Sequence, residues 1–360
     1  MDVYRRQPRV AGLVLALALA AVPACRRAPP PQPAGPQLQR ATRLLLGSTV
    51  TITAVAAGPA EQERAARLAA EALDEVRRVE GAAAAAPRTL QQVQRAAGQA
   101  PVHLGEDLFR LLTLALRQAE TTGGAYDPTV GALRELYCNG ARPTPAALKT
   151  QLGLVGHGHV RLTPQPPGFV GTVSLKHAGM RLDLDELWRP YAVDRAAQVL
   201  AHGGLEDFLV ESVSVAAAKG ARPDGPWRVS VDAPGNEAEW LARLFMKTGA
   251  VAVVDTMAVG RPASAGCAGV TVDPRTGLLA GGVGRAVVVA PDAVGAAALA
   301  RAVVAAGPQA GPALLQRLGR EGIVAPTSGP VWVSDGLRRA AVLRASDQAR
   351  PGDAAPARDR

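Results

Sequence analysis

The chain has 360 residues, enough for one large domain or two medium ones, with 48% hydrophobic residues, 20% charged residues and a formal net charge of +9. Much of the positive charge is peripheral: arginines cluster in the first ten residues, at Arg26 and Arg27 and after Arg338, and no basic run is interleaved with aromatics, which make up 3% of the chain. Nucleic acid is therefore excluded as a partner, and without a CxxC motif or a Cys/His cluster so is a structural zinc site.

Residues 1–10 carry Arg5, Arg6 and Arg9, and residues 11–22 form an unbroken apolar run too short to span a bilayer as a mature helix. Val22-Pro23-Ala24-Cys25 follows. A basic start, a short apolar core and small residues before a cleavage point predict a secretory signal over 1–24. The cysteine resembles a bacterial lipobox, which implies lipid on Cys25 and a place on the periplasmic face of a bacterial membrane. A cleaved signal with an incidental Cys25 is the competing reading. Residues 25–40 are proline-rich and read as an extended tether, with Arg26 and Arg27 placed to favour an anionic membrane surface.

From residue 41 to 344 the sequence reads as one continuous domain. Residues 49–55 alternate Val50, Ile52 and Ala54 with threonines, a half-buried strand. Leu68, Ala69, Ala72, Leu73, Val76 and Val79 give helical spacing over 61–79. Leu108, Leu111, Leu112 and Ala115 do the same over 106–119, with Gly123-Gly124 as the stop. A third helix covers 191–202 and ends at Gly203-Gly204. Strands follow around 208–210, 227–231, 250–254 and 286–290, then a final helix over 293–306. Residues 331–333 and 340–343 are placed to close the sheet. Strands that do not alternate strictly with helices predict an α+β fold with mixed, largely antiparallel sheets and packed helices. Residues 345–360 are polar and aperiodic, a disordered tail. Cys138 and Cys267 are the remaining cysteines, and the sequence leaves open whether they pair or sit apart as small hydrophobes.

Three stretches carry the chemistry. Gly124-Ala125-Tyr126-Asp127-Pro128-Thr129-Val130-Gly131 makes a tight polar turn after a helix, in which Pro128 fixes the backbone and the oxygens of Asp127 and Thr129 cap or bind. Asp273-Pro274-Arg275-Thr276-Gly277 is a second such turn. In the third, Gly179-Met180-Arg181-Leu182-Asp183-Leu184 delivers Asp183 to the mouth of the helix that begins near Tyr191-Ala192-Val193-Asp194. Each alone reads more readily as a structural turn or cap than as a ligand site.

Taken in order, these pieces resemble the FAD:protein FMN transferases, once called thiamine-biosynthesis lipoproteins. Leu46-Gly47-Ser48 is similar to the family's Met-Gly-Thr; Gly124 to Leu133 is similar to its GAFDPTVGPL; Gly179 to Leu184 and Tyr191 to Asp194 match both ends of GMxLDLGGIAKGYAVD; Pro226-Trp227 and Val270 to Gly277 match its Pro-Trp and HIIDPRTG segments. The resemblance covers nearly everything from Arg43 to Pro326. It implies Mg²⁺-dependent transfer of FMN from FAD to a threonine or serine of a target protein, with release of AMP. It also implies that Leu46, Ala125, Tyr126, Asp127, Asp183, Arg189 and Thr271 line the FAD site, and that the partner is a flavin-accepting or redox protein.

The sequence departs from that pattern where the chemistry lives. GGIAKG is replaced by Asp185-Glu186-Leu187-Trp188-Arg189-Pro190, and the histidine before IIDPRTG falls on Val270. The GGD segment falls on Val213-Ser214-Val215, and a threonine-serine-glycine on Val253-Val254-Asp255. The aspartate and threonine that the family's ADALAT offers to the metal fall on Ala297 and Arg301, and residues 293–306 hold no Asp, Glu, Ser or Thr in any register. The resemblance thus implies FAD but leaves no family metal site, which puts Mg²⁺ in doubt. Asp185 and Glu186 read as solvated acids at a loop, the alternative being a new metal site. Arg301 is a candidate to meet a pyrophosphate directly. The expectation is a family member whose transfer activity is weakened or lost. The alternative is a catalytically inactive periplasmic lipoprotein that binds flavin or a partner, a pseudoenzyme.

Overall fold

The computed structural model describes residues 35–138, 142–165, 170–233, 236–256 and 270–343. The predicted signal, Cys25, most of the tether and the tail lie outside the described residues, as does Cys267.

The architecture is α+β, as expected. Its centre is an eight-stranded sheet in the order β1 (Gln37–Leu45), β2 (Ser48–Ala56), β6 (Phe208–Ser212), β7 (Val215–Lys219), β10 (Gly249–Asp255), β11 (Val283–Ala290), β12 (Glu321–Pro326) and β13 (Trp332–Val333), with every neighbouring pair antiparallel. Two three-stranded antiparallel sheets flank it: β3 (Val102–Leu104), β5 (Gly171–Leu175) and β4 (Val160–Pro164), and β14 (Ala341–Leu343), β9 (Asn236–Met246) and β8 (Trp227–Ala233).

Side chains alternate across the central sheet and enter two different cores. Phe208, Val210, Ala250, Ala252, Ala286, Val288 and Val324 face the helices α1 (Pro59–Arg95), α2 (Glu106–Thr122), α5 (Trp188–His202) and α6 (Ala293–Arg317). Leu209, Val251, Val287 and Ile323 pack instead with Trp227, Leu241 and Leu244 of the β14-β9-β8 sheet. Leu111 and Leu112, both fully buried, each contribute about 1.5–3 kcal/mol of apolar burial. Three short helices complete the described residues: α3 (Gly131–Tyr137), α4 (Pro145–Leu152) and α7 (Asp335–Ala340).

The predicted helices stand, with instructive differences at their ends. Gly123 caps α2 in the left-handed conformation (φ 64°), as its position implied. The first helix runs on through Pro87 to Arg95, far past 61–79. A proline inside a helix removes one hydrogen bond and costs about 3 kcal/mol. Burial of Ala86, Leu90 and Val93 on the same face offsets it. The helix predicted over 293–306 ends where α6 kinks, at Gly307 (φ 84°), and a second segment continues to Arg317.

Other expectations need correction. Strand β1 includes Gln37–Arg40, which the sequence assigns to the tether; its inward positions are Gln37, Gln39, Ala41 and Arg43, so an amphipathic face hid the strand period. Residues 341–343 do not close the main sheet but pair with β9, whereas 332–333 do join its edge. The question the sequence left open about the cysteines is answered for one of them: Cys138, at the end of α3, is disulfide-bonded.

Candidate functional site

The residues singled out from sequence converge on one cleft. Leu46, Arg189, Thr271, Ala297 and Arg301 line a broad opening that encloses about 2750 Å³, solvent included. Ala125, Tyr126, Asp127, Asp183, Thr271 and Arg301 line a smaller, largely apolar pocket of about 480 Å³. Arg134, Glu186, Thr271 and Arg301 belong to both, so the pocket is a recess of the cleft.

The lip is built by the β1–β2 turn. Leu46 (φ 53°) and Gly47 (φ 68°) both take positive φ, as a two-residue hairpin turn of the right twist requires. Leucine is strained there, by about 1–2 kcal/mol. The turn is held from two sides: Leu46 N–H donates to Glu80 Oε1 of α1 at 2.6 Å, and Arg189 Nη2 of α5 donates to Leu46 O at 3.1 Å. Arg189 Nε is buried without a partner, and desolvation lowers the guanidinium's affinity for its proton.

Both Asp-Pro motifs hold their own turns, at the edge of the recess that Asp127 and Pro274 line. Asp127 is 3% exposed. Its Oδ1 accepts from Thr129 N (2.9 Å) and Thr129 Oγ1 (2.6 Å), and its Oδ2 accepts from His157 N (2.8 Å) and lies 3.0 Å from His157 Nδ1. Thr129 Oγ1 in turn accepts from Gly156 N at 2.8 Å. The motif thus pins the turn at residues 156–159 to the end of α2, with His157 as its partner. Asp273 likewise folds back on itself, accepting from Arg275 N (3.0 Å) and the Arg275 guanidinium (2.9 and 3.0 Å). Tyr137 Oη secures that turn by donating to Gly277 O at 2.8 Å.

The third motif does bring charge into the cleft. Asp183 N–H donates to Pro128 O at 2.7 Å, and a parallel bridge joins Val130 to Arg181, which stitches the first and third motifs together. At Gly131 a side chain is impossible without movement, since a Cβ would sit 2.9 Å from Arg181 O. Asp183 then pairs with Arg134 of α3. Arg134 also lies 3.9 Å from Glu186, and Glu186 pairs with Arg301 of α6. Burial lowers the Arg301 pKa to about 10, and pushes the Tyr126 phenol, whose buried hydroxyl has no partner, upward. Asp185 is exposed at the cleft mouth, its carboxyl raised by desolvation and then by Asp183. Trp188 is 5% exposed and packs edge-on against Tyr191; it lines the cleft without filling it. A second pair, Arg285 with Asp255, lies across the β10–β11 ladder and also lines the opening.

A protein-family model, the ApbE family, matches residues 46–324. The chain belongs to the ApbE family. Curated relatives support this over shorter stretches: an FAD:protein FMN transferase of Treponema pallidum is 38% identical over 120 residues, 32% of this chain and 33% of the relative. One of Haemophilus influenzae is 27% identical over 146 residues, 39% and 42% respectively. The chain thus aligns with between a third and about two fifths of these relatives' lengths. Solved structures extend the likeness of fold to almost the whole domain. The ApbE protein of Thermotoga maritima superposes with a TM-score of 0.66 at 24% identity, over 84% of this chain and 99% of that one. The flavin transferase ApbE of Vibrio cholerae gives 0.67 at 20%, over 85% and 100%.

Within this ApbE fold the cleft presents cationic and apolar groups and few free carboxylates. The recess is apolar, and Tyr126 Oη, Arg189 Nε and Arg301 Nε are buried donors with no acceptor. A divalent cation would need several free oxygens. Ala297 offers a methyl group, Arg301 brings a cation, and Asp183 and Glu186 are each ion-paired with arginine. Among the described residues no group of three His, Cys, Asp or Glu could hold a metal. The residues present do not fit Mg²⁺. Arg134 and His157 were missed from sequence because each is a lone polar residue whose partner is distant in the chain; Arg285, a single charge inside the apolar run 283–290, was a signal passed over.

Proposed function

We propose that this ApbE-family chain binds FAD in the cleft and that Mg²⁺-dependent transfer of FMN to a threonine or serine of a target protein is weakened or lost. The observation that carries this reading is the Arg301–Glu186 pair at the position where the family pattern supplies metal ligands. Phosphoryl transfer depends on positioning and on offsetting charge that develops on phosphate oxygens. When bound, FAD would supply the flavin phosphate. The chain's own share is to seat the ligand: the Arg189 and Arg301 guanidinium groups bring positive charge to phosphate oxygens, and Ala125, Leu187 and Val272 wall an apolar recess. The pattern's imidazole is absent at Val270, so no histidine stands there to move a proton.

The test is an FAD titration of the protein with and without Mg²⁺, followed by a search for AMP release in the presence of an acceptor protein. FAD binding that ignores Mg²⁺, with no AMP, is expected. Mg²⁺-dependent AMP release with a flavinylated acceptor would sink the proposal. No FAD binding at all would leave a scaffold for a partner protein.

We also infer a lipid anchor on Cys25 that holds the domain at the periplasmic face of a bacterial membrane. The support is the basic start, the short apolar run and Val22-Pro23-Ala24-Cys25. Metabolic labelling with a radioactive fatty acid should mark the wild-type chain and not Cys25→Ala; equal labelling of both refutes the anchor.

A further inference from the structure

The two positions at which the chain departs most sharply from the family pattern meet in space. Glu186 comes from the segment before α5 and Arg301 from the middle of α6, and their side chains form an ion pair. Around them, charges alternate along the cleft floor: Asp183, Arg134, Glu186, Arg301. The set is neutral, so neither replacement leaves an uncompensated buried charge.

The pair borders the cleft, with its contacting Glu186 Oε2 and the Arg301 Nε buried. The side chains of Arg301 and Glu186 are 24% and 23% exposed, and both line the recess and the wider opening. Arg301 Nε remains buried without a partner, and so does the hydroxyl of Tyr126, which lines the same recess. A guanidinium presents its donors as a planar fork that suits phosphate oxygens. Glu186 does not lose all compensation if it leaves Arg301, because Arg134 stands 3.9 Å from its other oxygen.

We propose that Arg301 is the resident cation of this site, which takes the diphosphate of a nucleotide directly, and that Glu186 is a built-in competitor which the ligand displaces toward Arg134. Binding of the diphosphate then needs no divalent metal. The inference rests on the flavin reading only for the choice of nucleotide; the recognised chemistry is the diphosphate itself.

The experiment is calorimetric titration of the detergent-solubilised full-length chain with inorganic pyrophosphate and, separately, with FAD, in EDTA and in excess Mg²⁺. Glu186→Gln, which keeps the shape and removes the competing charge, should bind pyrophosphate about tenfold more tightly than wild type. Arg301→Ala should weaken it by about tenfold or more, and Arg301→Lys, which keeps the charge and guards against loss of the fold, should fall between. Mg²⁺ should not strengthen any of these. The proposal is overturned if Mg²⁺ tightens wild-type pyrophosphate binding tenfold, or if Glu186→Gln leaves it unchanged. If pyrophosphate behaves as expected while FAD fails to bind, the flavin reading falls and the assignment of Arg301 stands. If FAD binds and neither affinity responds to Glu186→Gln, the reverse holds.

Discussion

Replacing Asp127 by alanine removes an acceptor for two backbone N–H groups and a buried hydroxyl at once. Its oxygens receive Thr129 N, Thr129 Oγ1 and His157 N, and hold His157 Nδ1 at 3.0 Å. A buried donor left without an acceptor costs about 1–3 kcal/mol. Thr129 is fully buried, so its two donors bear the full cost. His157 is one-third exposed, so water takes over part of its share. The expected loss for Asp127→Ala is about 3–5 kcal/mol. Asp127→Asn should be milder: the retained carbonyl still serves Thr129, and the new amide can donate to Nδ1 of the other histidine tautomer, but not accept from His157 N–H. One lost bond leaves about 1–2 kcal/mol. Urea unfolding reads this as a lower midpoint at unchanged slope, ordered alanine, asparagine, wild type. FAD affinity should follow only as far as the fold does. An alanine variant that loses under about 1 kcal/mol and yet loses FAD would refute the reasoning and return Asp127 to the ligand role that the family resemblance implies.

Two carboxylates should leave opposite marks on the pH dependence of stability. Arg78, hydrogen-bonded to Glu75, foremost, and then Arg195 hold the Glu75 carboxyl down to about 2 against burial. Its contribution is complete above about pH 4.5 and fades as pH falls toward 2, so Glu75→Gln should lose about 1–2 kcal/mol at neutral pH and flatten the acid limb. Burial, helped by Asp292, pushes Asp194 up to about 7 against two backbone N–H bonds from Ala293 and Val294. The native state then binds the extra proton, so this contribution is full below about pH 4 and is lost as pH rises to about 7. Asp194→Asn should remove that decline, and a slope as steep as wild type's would contradict it. Gly131→Ala, whose methyl would meet the Arg181 carbonyl at 2.9 Å, should cost about 1–3 kcal/mol in thermal or urea unfolding, and an unchanged midpoint would show that the contact relaxes freely.

Much of this fold was legible because its signals are local. The 3.6-residue spacing of α2, the glycines that end α2 and α5, and the apolar centres of β6, β10 and β11 each declare themselves within a dozen residues. What escaped depends on distant partners. Strand β1 turns glutamines and an arginine inward, which only the presence of α1 makes sense of, and Pro87 reads as a break unless the burial of Leu90 and Val93 is known. The site divides in the same way. Ordered motifs placed Tyr126, Asp183 and Thr271 at one cleft, and the single charge in an alanine-rich helix drew attention to Arg301. Its counter-ion could not be read: Glu186 looks solvated in sequence because nothing within the segment reveals that α6 lies against it.

The strand order has a consequence for how the chain acquires its shape. β2 pairs with β1 across a two-residue turn, but its other neighbour is β6, with Ile52 opposite Val210. Closing a loop of roughly 160 residues costs about 4.5 kcal/mol of chain entropy before any contact compensates it. The N-terminal hairpin can therefore form as soon as it is made, yet one of its edges must wait while the next half of the polypeptide is synthesised and threaded into place. During that interval β2 is an open template for strangers. Folding speed and losses to aggregation should be governed less by the buried cleft than by how long that edge stays unclaimed.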